Sequence, residues 1–215
     1  AMDIIRENQN KKKFKKAQPI EIKEYEEPNE VTKPRETLKM NVAVPKIILN
    51  FKFNIKEITM VENKWLLTYL SLFADLKLGS TSVFQKELLE ENLITEPLDF
   101  YVAYTKTHAV LMITAESKRT DILERKLKEE IYKDNIVESD FDRKKKTLVA
   151  SAIFTSDNIY RMNNKVVNDI LTLGYVSTDD YNKYRELSFE VLKQIISHLD
   201  YSHTATVFIE PKALD

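Results

Sequence analysis

Residues 78–94 read LGSTSVFQKELLEENLI, and this stretch decides the fold because it ends one apolar run and opens the next. Glycine permits a left-handed or tight turn, so Gly79 is expected to end the helix before it. The hydroxyl residues at 80–82 offer a cap for the free N–H groups of a helix over residues 83–91. Two helices joined by a short turn are therefore predicted here.

The second of these helices has a buried side and an exposed side. Phe84 and Leu88 are expected on the buried side, and Gln85 is expected to face water. Asn92 is expected to end the helix, because asparagine is the commonest substitute for glycine in the left-handed position. Residues 98–104 and 108–117 then read as two paired strands with a short turn between them.

A strand and the strongest helix of the chain precede this stretch, after a first strand at 38–44. In residues 46–54 alternate positions share a face, with Ile47, Leu49, Phe51 and Phe53 on one side, which predicts a sheet with one buried face. Residues 61–78 carry large apolar side chains three and four positions apart. So wide an apolar face predicts a helix that is buried on more than one side.

Three helical stretches and a last strand follow the central strands. Helices are predicted over residues 120–133, over 138–173 as one helix or two, and over 181–198, with a strand at 203–209. Strands that pair locally, with a late strand returning to them, favour a mostly antiparallel sheet covered by helices on one face. The predicted fold class is therefore α+β.

Composition argues against several classes of function. The chain of 215 residues has 33 basic and 34 acidic side chains and a net charge of −1, so no overall field attracts nucleic acid. There is no cysteine for thiol catalysis or thiolate metal sites. No apolar run reaches the roughly 18 residues of a membrane span. We expect a cytoplasmic protein with no nucleic-acid partner and no membrane partner.

The order of these features resembles the M16 family, which includes insulinase, pitrilysin and the processing peptidases. In that family a loop of small residues precedes a helix of the type Leu-Arg-Glu-x-Gly-Leu-x-Tyr, and residues 78–94 present the same order of loop and helix before two strands. The resemblance covers residues 40–212 and points to the C-terminal half of bacterial insulinase-like members. It implies the fold of the processing-peptidase-like metallohydrolases.

The resemblance also implies which residues face a peptide substrate. In the family an arginine and a tyrosine of that segment reach the substrate in the zinc site, and their positions fall here on Leu89 and Thr95. Neither side chain can make the same hydrogen bonds. Either Tyr101 or Tyr104 substitutes, or this half supplies only walls, which is the interpretation we favour. No catalytic residue is predicted, and the candidate substrate-facing residues are Gly79, Ser80, Leu89, Thr95 and Tyr101.

Active family members bind zinc through His-x-x-Glu-His. The three histidines of this chain, His108, His198 and His203, do not have that spacing, so no metal ligand is predicted in it. Zinc is instead expected in a separate N-terminal half. We expect this chain alone to be inactive and its parent to be a zinc-dependent metallopeptidase.

The chain is predicted to divide into a charged connector, residues 1–38, and a C-terminal-type M16 domain, residues 39–215. Basic residues at 11–13 and 15–16 precede acidic ones that cancel their field within about 8–10 Å. Ala1-Met2 has the form of a tag remnant, so we expect a piece of a longer polypeptide. Expected partners are the N-terminal catalytic half of that polypeptide, a peptide substrate and, as a further candidate, a homologous M16 subunit. The alternative is a scaffold or partner-binding subunit from a catalytically inactive M16 homologue.

Overall fold

A five-stranded sheet organises the protein, whose computed structural model describes residues 2–13, 25–105 and 107–212. The sheet has the strand order β1-β5-β2-β4-β3. β1 and β5 run parallel, and the other three neighbouring pairs are antiparallel, so the mostly antiparallel sheet is confirmed. The strands are β1 (Arg35–Met40), β2 (Lys46–Asn54), β3 (Asp99–Tyr104), β4 (His108–Glu116) and β5 (Thr204–Pro211).

The helices that the described residues form are α1 (Met2–Asn10), α2 (Asn63–Leu78), α3 (Val83–Glu90), α4 (Thr120–Tyr132), α5 (Glu138–Ser156), α6 (Ile159–Leu173), α7 (Asp180–Glu186) and α8 (Phe189–Ser197). The stretch predicted over 138–173 is two helices, because the Asn158 side chain accepts the first N–H groups of α6. The stretch predicted over 181–198 also divides, because Ser188 caps α8. No helix in the described ranges is long and apolar enough to cross a membrane.

The core lies between the helices and one face of the sheet. The four alternating residues of β2 named above are at most 1% exposed. From α2, Leu66 and Phe73 join them at 0% and 1% exposed, and α4 adds Leu123 and Leu127 at 0%. Side chains on the other face of β2 are only partly buried. The α+β class, with helices on one face of the sheet, is therefore confirmed.

The turn between α2 and α3 is tight, as predicted. Gly79 has φ −64°, so it does not need the left-handed region, but a Cβ there would lie 2.4 Å from the backbone oxygen of Asp75. The Ser82 hydroxyl accepts the N–H of Gln85 at 3.1 Å and caps α3. Asn92 has φ 52°, which confirms its left-handed position after the helix.

The expectation that Gln85 faces water is wrong. Its side chain is 2% exposed, and its Oε1 accepts the N–H of Leu98 at 3.1 Å. This N–H lies just before β3 and has no strand partner of its own. A buried donor without a partner costs about 1–3 kcal/mol, which explains why a glutamine is turned inward.

The two glycines of the chain should respond differently to the same substitutions. Gly174 has φ +78° and open space where a Cβ would lie, whereas Gly79 has an ordinary φ and no space for a Cβ. We expect Gly79→Ala and Gly79→Asn to cost about 1–3 kcal/mol alike, because any Cβ clashes. Gly174→Ala should cost about 1–2 kcal/mol, and Gly174→Asn clearly less, because asparagine tolerates that region. Urea unfolding of the four variants measures these costs. A Gly79→Asn variant that is clearly more stable than Gly79→Ala would contradict the prediction.

Part of the predicted connector is built into the sheet. β1 begins at Arg35, and its guanidinium lies 2.7 Å from the Glu124 carboxylate of α4 and 4.3 Å from the Phe208 ring centroid. The strand therefore crosses the predicted boundary at residue 38, while the division into two units stays a prediction. Residues 14–24, with their lysines at 15–16, and Lys106 of the predicted turn lie outside the described residues.

Candidate functional site

The sheet face turned away from α2 and α4 carries the candidate site, and we call it the open face. Successive side chains of a strand point to opposite sides. The open face therefore takes the alternate positions that are only partly buried, between positions that are buried under the helices. Its central apolar residues are Ile48, Val110, Met112, Val207 and Ile209.

Charged groups lie at the two ends of the open face and on its edge strands, where Glu36 is opposite Val207 and Asp99 is opposite Thr114. At one end Lys46 Nζ lies 2.6 Å from Glu116 Oε1. At the other end Lys52 pairs with Glu27 of the connector, and this hydrogen bond lowers the pKa of the Glu27 carboxyl. Each of these two pairs is neutral overall, and the side chains between them at the centre of the face are mainly apolar.

Asn50 lies in the middle of the open face with an unused acceptor. Its Nδ2 donates to the backbone oxygen of Ala205 at 3.3 Å, and Ala205 lies opposite it in the register. Its Oδ1 is buried and has no hydrogen-bond partner among the described residues. Buried side-chain acceptors nearly always have a partner. Asn50 Oδ1 is therefore an unsatisfied acceptor enclosed within the described part of this chain, with almost no exposed surface of its own.

His108 lies at the connector end of the open face and has a structural role there. Its Nε2 lies 3.0 Å from Asn29 Oδ1, and its Nδ1 lies 2.9 Å from the Thr107 hydroxyl. Burial, and then the nearby Lys52 ammonium, lower the pKa of its imidazole. The neutral ring, with both nitrogens bonded, holds connector residue Asn29 against the sheet.

The other two histidines lie elsewhere in exposed or partly exposed turns. His198 Nδ1 lies 2.7 Å from the Gln194 backbone oxygen, and His203 Nε2 lies 3.3 Å from the Asp200 carboxylate. In the described part of the chain, no three histidine or acidic side chains are grouped so that they could hold a metal ion.

The predicted substrate-facing residues occupy two regions. Tyr101, which is 52% exposed, lies on the open face, opposite Met112 in the register. Tyr104 is three residues away and points to the other side, where it lines a cavity between α2, β3 and α5. The remaining four lie around α3, where Gly79 is buried and Ser80, Leu89 and Thr95 are exposed. The structure brings only Tyr101 to the open face, and substrate contact by all five stays a prediction.

Asn50 and Met112 were missed by the sequence analysis as candidate site residues. The alternation of β2 did place Asn50 on the face opposite to that of Phe51 and Phe53. What the sequence could not give is the neighbouring strand, because the β4 partner of each β2 residue depends on register.

Comparisons with known proteins give matches to solved structures. No protein-family model matches the sequence, and no curated protein matches it. A putative M16-like peptidase from Alicyclobacillus acidocaldarius superposes with a TM-score of 0.81 at 19% identity, over 98% of this chain and 51% of that chain. A protease from Helicobacter pylori gives 0.76 at 16% identity, over 98% and 52%. A peptidase M16 inactive domain from Pseudomonas fluorescens gives 0.62 at 14% identity, over 90% and 47%.

The three matched chains share this fold and also a similar length relative to this chain. This chain spans about half the length of each of those three solved chains. The M16 resemblance read from residues 78–94 is confirmed at the level of the fold. The chain has the fold of an M16-like peptidase domain.

Proposed function

We propose that this chain is the non-catalytic C-terminal half of an M16-like zinc-dependent peptidase, and that its open face forms part of the wall of the substrate chamber. The observation that carries the proposal is the set of partly exposed apolar side chains at the centre of the open face. The M16-like fold and the proportion of about one half support it.

The proposed role of this chain is to bind and orient an extended peptide. Ile48, Val110 and Met112 would contact apolar side chains of the peptide and exclude water from around it. In the proposed parent, zinc held by the N-terminal half would activate the attacking water.

Met112→Arg should weaken peptide binding to the parent polypeptide without unfolding this domain. Met112 is partly exposed at the centre of the open face, so arginine can reach solvent, but it places a charge against apolar peptide side chains. We expect the Kd of a fluorescein-labelled apolar peptide to rise about tenfold, equivalent to about 1.4 kcal/mol. Fluorescence anisotropy measures the Kd, and circular dichroism should show an unchanged melting temperature.

Val137→Arg is the matched control for that substitution. Val137 is 51% exposed at the start of α5, on the helix side of the sheet, and receives the same new charge. We expect it to leave the Kd unchanged. Equal weakening by both variants, or no weakening by Met112→Arg, would rule out the open face as the peptide contact.

The alternative proposal is a scaffold or partner-binding half from an inactive M16 homologue. It is favoured by one of the matches, the Pseudomonas fluorescens structure, which is described as an inactive domain. Zinc analysis of the purified parent polypeptide separates the two proposals. One bound zinc per chain, with peptide hydrolysis that a chelator abolishes, supports the peptidase. The absence of both bound zinc and hydrolysis supports the scaffold.

A further inference from the structure

The helix α6 presents its apolar side to solvent. Residues three, four and seven positions apart fall on one side of a helix, and on α6 this side carries large apolar residues. They form what we call the α6 stripe: Ile159 (78% exposed), Tyr160 (80%), Val167 (49%), Ile170 (52%) and Leu171 (80%). A surface helix normally turns such a side toward the core. Here the described residues leave it uncovered.

The charged side of α6 faces the rest of the protein instead. Lys165 Nζ lies 2.5 Å from Asp169 Oδ2 and donates to the backbone oxygen of Ser177 at 2.6 Å. Asp169, only 7% exposed, also accepts the N–H of Ser177 at 3.0 Å. Lys165 further contacts Asp180, which pairs with Lys64 of α2 at 2.7 Å. Turning the stripe inward would break this four-charge network, so the stripe is held outward.

Little apolar packing holds α6 from behind. A cavity of about 620 Å³ lies between its charged side and the rest of the fold, and Ser151, Met162 and Tyr184 are among the residues that line it. Most helical stability in proteins comes from packing an apolar face. For α6 that packing is sparse within the described part of the chain.

We propose that the α6 stripe is the surface on which the N-terminal half of the parent polypeptide packs; this rests on the proposed function. The matched solved chains are about twice as long as this one, so a second unit of similar size is available to cover it. The stripe exposes on the order of a few hundred Å² of apolar surface, the size that marks an interaction site on soluble proteins.

The chemistry of the stripe also indicates the kind of surface it would meet. Its polar neighbours are the neutral Asn163 and Asn164; of the two cations on α6, Lys165 is bonded on the opposite side and Arg161 alone is exposed. A membrane-binding helix would carry free lysine or arginine along its border with the lipid headgroups. The stripe therefore fits an uncharged, apolar protein surface with amide-bonding groups at its rim.

Hydroxyl-radical footprinting of two samples tests the proposal without any substitution. The chain of residues 1–215 alone and the intact parent polypeptide are labelled in parallel, and oxidation of Tyr160 and Leu171 is quantified by mass spectrometry. We expect both residues to be oxidised in the chain alone and to lose most of that labelling in the parent. Tyr132 of α4, which is 52% exposed and lies outside the connector, serves as the internal reference. Equal labelling of the stripe in both samples overturns the proposal.

A double variant adds a second test. Val167→Asp with Leu171→Asp places two negative charges in the stripe, whereas Arg161→Asp makes the same change of two charge units on the exposed remainder of α6. We expect the double variant, but not Arg161→Asp, to make the linker between the halves of the parent more sensitive to limited proteolysis. A chain that is dimeric by light scattering, with the stripe protected in that dimer, would overturn the proposal in favour of a second copy.

The outcomes for the stripe and for the open face are separable. If the stripe is not protected in the parent but Met112→Arg still weakens peptide binding, only the proposed docking surface is rejected. If the stripe is protected in the parent but Met112→Arg leaves peptide binding unchanged, only the proposed chamber role is rejected.

Discussion

Lys77→Met is expected to lower the free energy of unfolding by about 3–5 kcal/mol, the usual cost of removing one partner from a buried charged contact. Lys77 is 2% exposed, although it lies on α2. Its ammonium donates to the backbone oxygens of Glu130 at 2.9 Å and Lys133 at 2.5 Å, at the end of α4, and to Asn135 Oδ1. Methionine fills a similar volume but leaves these acceptors without a donor.

Lys133→Met provides the control. Lys133 Nζ lies 3.2 Å from the carboxylate of Glu130, but its side chain is 56% exposed, compared with 2% for Lys77. Because the Lys133 end of this pair lies in solvent, we expect the pair to contribute at most about 1 kcal/mol and the variant to unfold close to the wild type. Urea unfolding, monitored by tryptophan fluorescence, measures the free energy of unfolding of both variants. Similar unfolding midpoints for the two variants would show that Lys77 does not hold the end of α4.

The stability of the wild type is expected to rise with pH between pH 8 and 10.5. Burial lowers the pKa of Lys77 from its ordinary 10.5 to about 8, although Glu130 and Asp134 act in the opposite direction. In this interval the unfolded chain binds the proton and the folded chain does not, so the free energy of unfolding increases with pH. The expected slope reaches about 1.4 kcal/mol per pH unit, for a total of about 3 kcal/mol.

The difference between wild type and Lys77→Met isolates this contribution. Burial raises the pKa of Tyr69, Tyr184 and Tyr201, which makes the folded state bind more protons and so lowers stability above about pH 10 in both proteins. Urea unfolding at half-unit steps from pH 7 to pH 10.5 should give a rise that is present in the wild type and absent from the variant. The same profile in both proteins would assign the rise to other groups.

Local rules were enough for the parts of the fold that depend on neighbours in sequence. The alternation of β2, the Ser82 cap and the left-handed Asn92 each follow from a few adjacent residues, and each is confirmed. The antiparallel sheet with helices on one face followed from the order of the elements. These features also carried the M16 resemblance, which the fold confirms.

The parts that could not be predicted depend on partners that are distant in sequence. Lys77 continues the buried row of Tyr69 and Phe73 at a spacing of four, so its position is readable, but its acceptors lie on α4 and beyond. Gln85 is buried because of a single N–H that precedes β3. The orientation of α6 is likewise fixed by Ser177 and Asp180 on the following segment, and an amphipathic pattern alone does not say which side faces inward.

The position of β5 between β1 and β2 has a consequence for how the chain acquires its structure during synthesis. β5 contributes Thr204–Pro211 near the end of the described sequence, yet it pairs with both strands that come first among the five. Until the ribosome has released those residues, β1 has no neighbour to pair with and β2 has one open edge. Pairings over so great a sequence separation form slowly. Until then the nascent domain exposes unpaired strand edges, which favour aggregation.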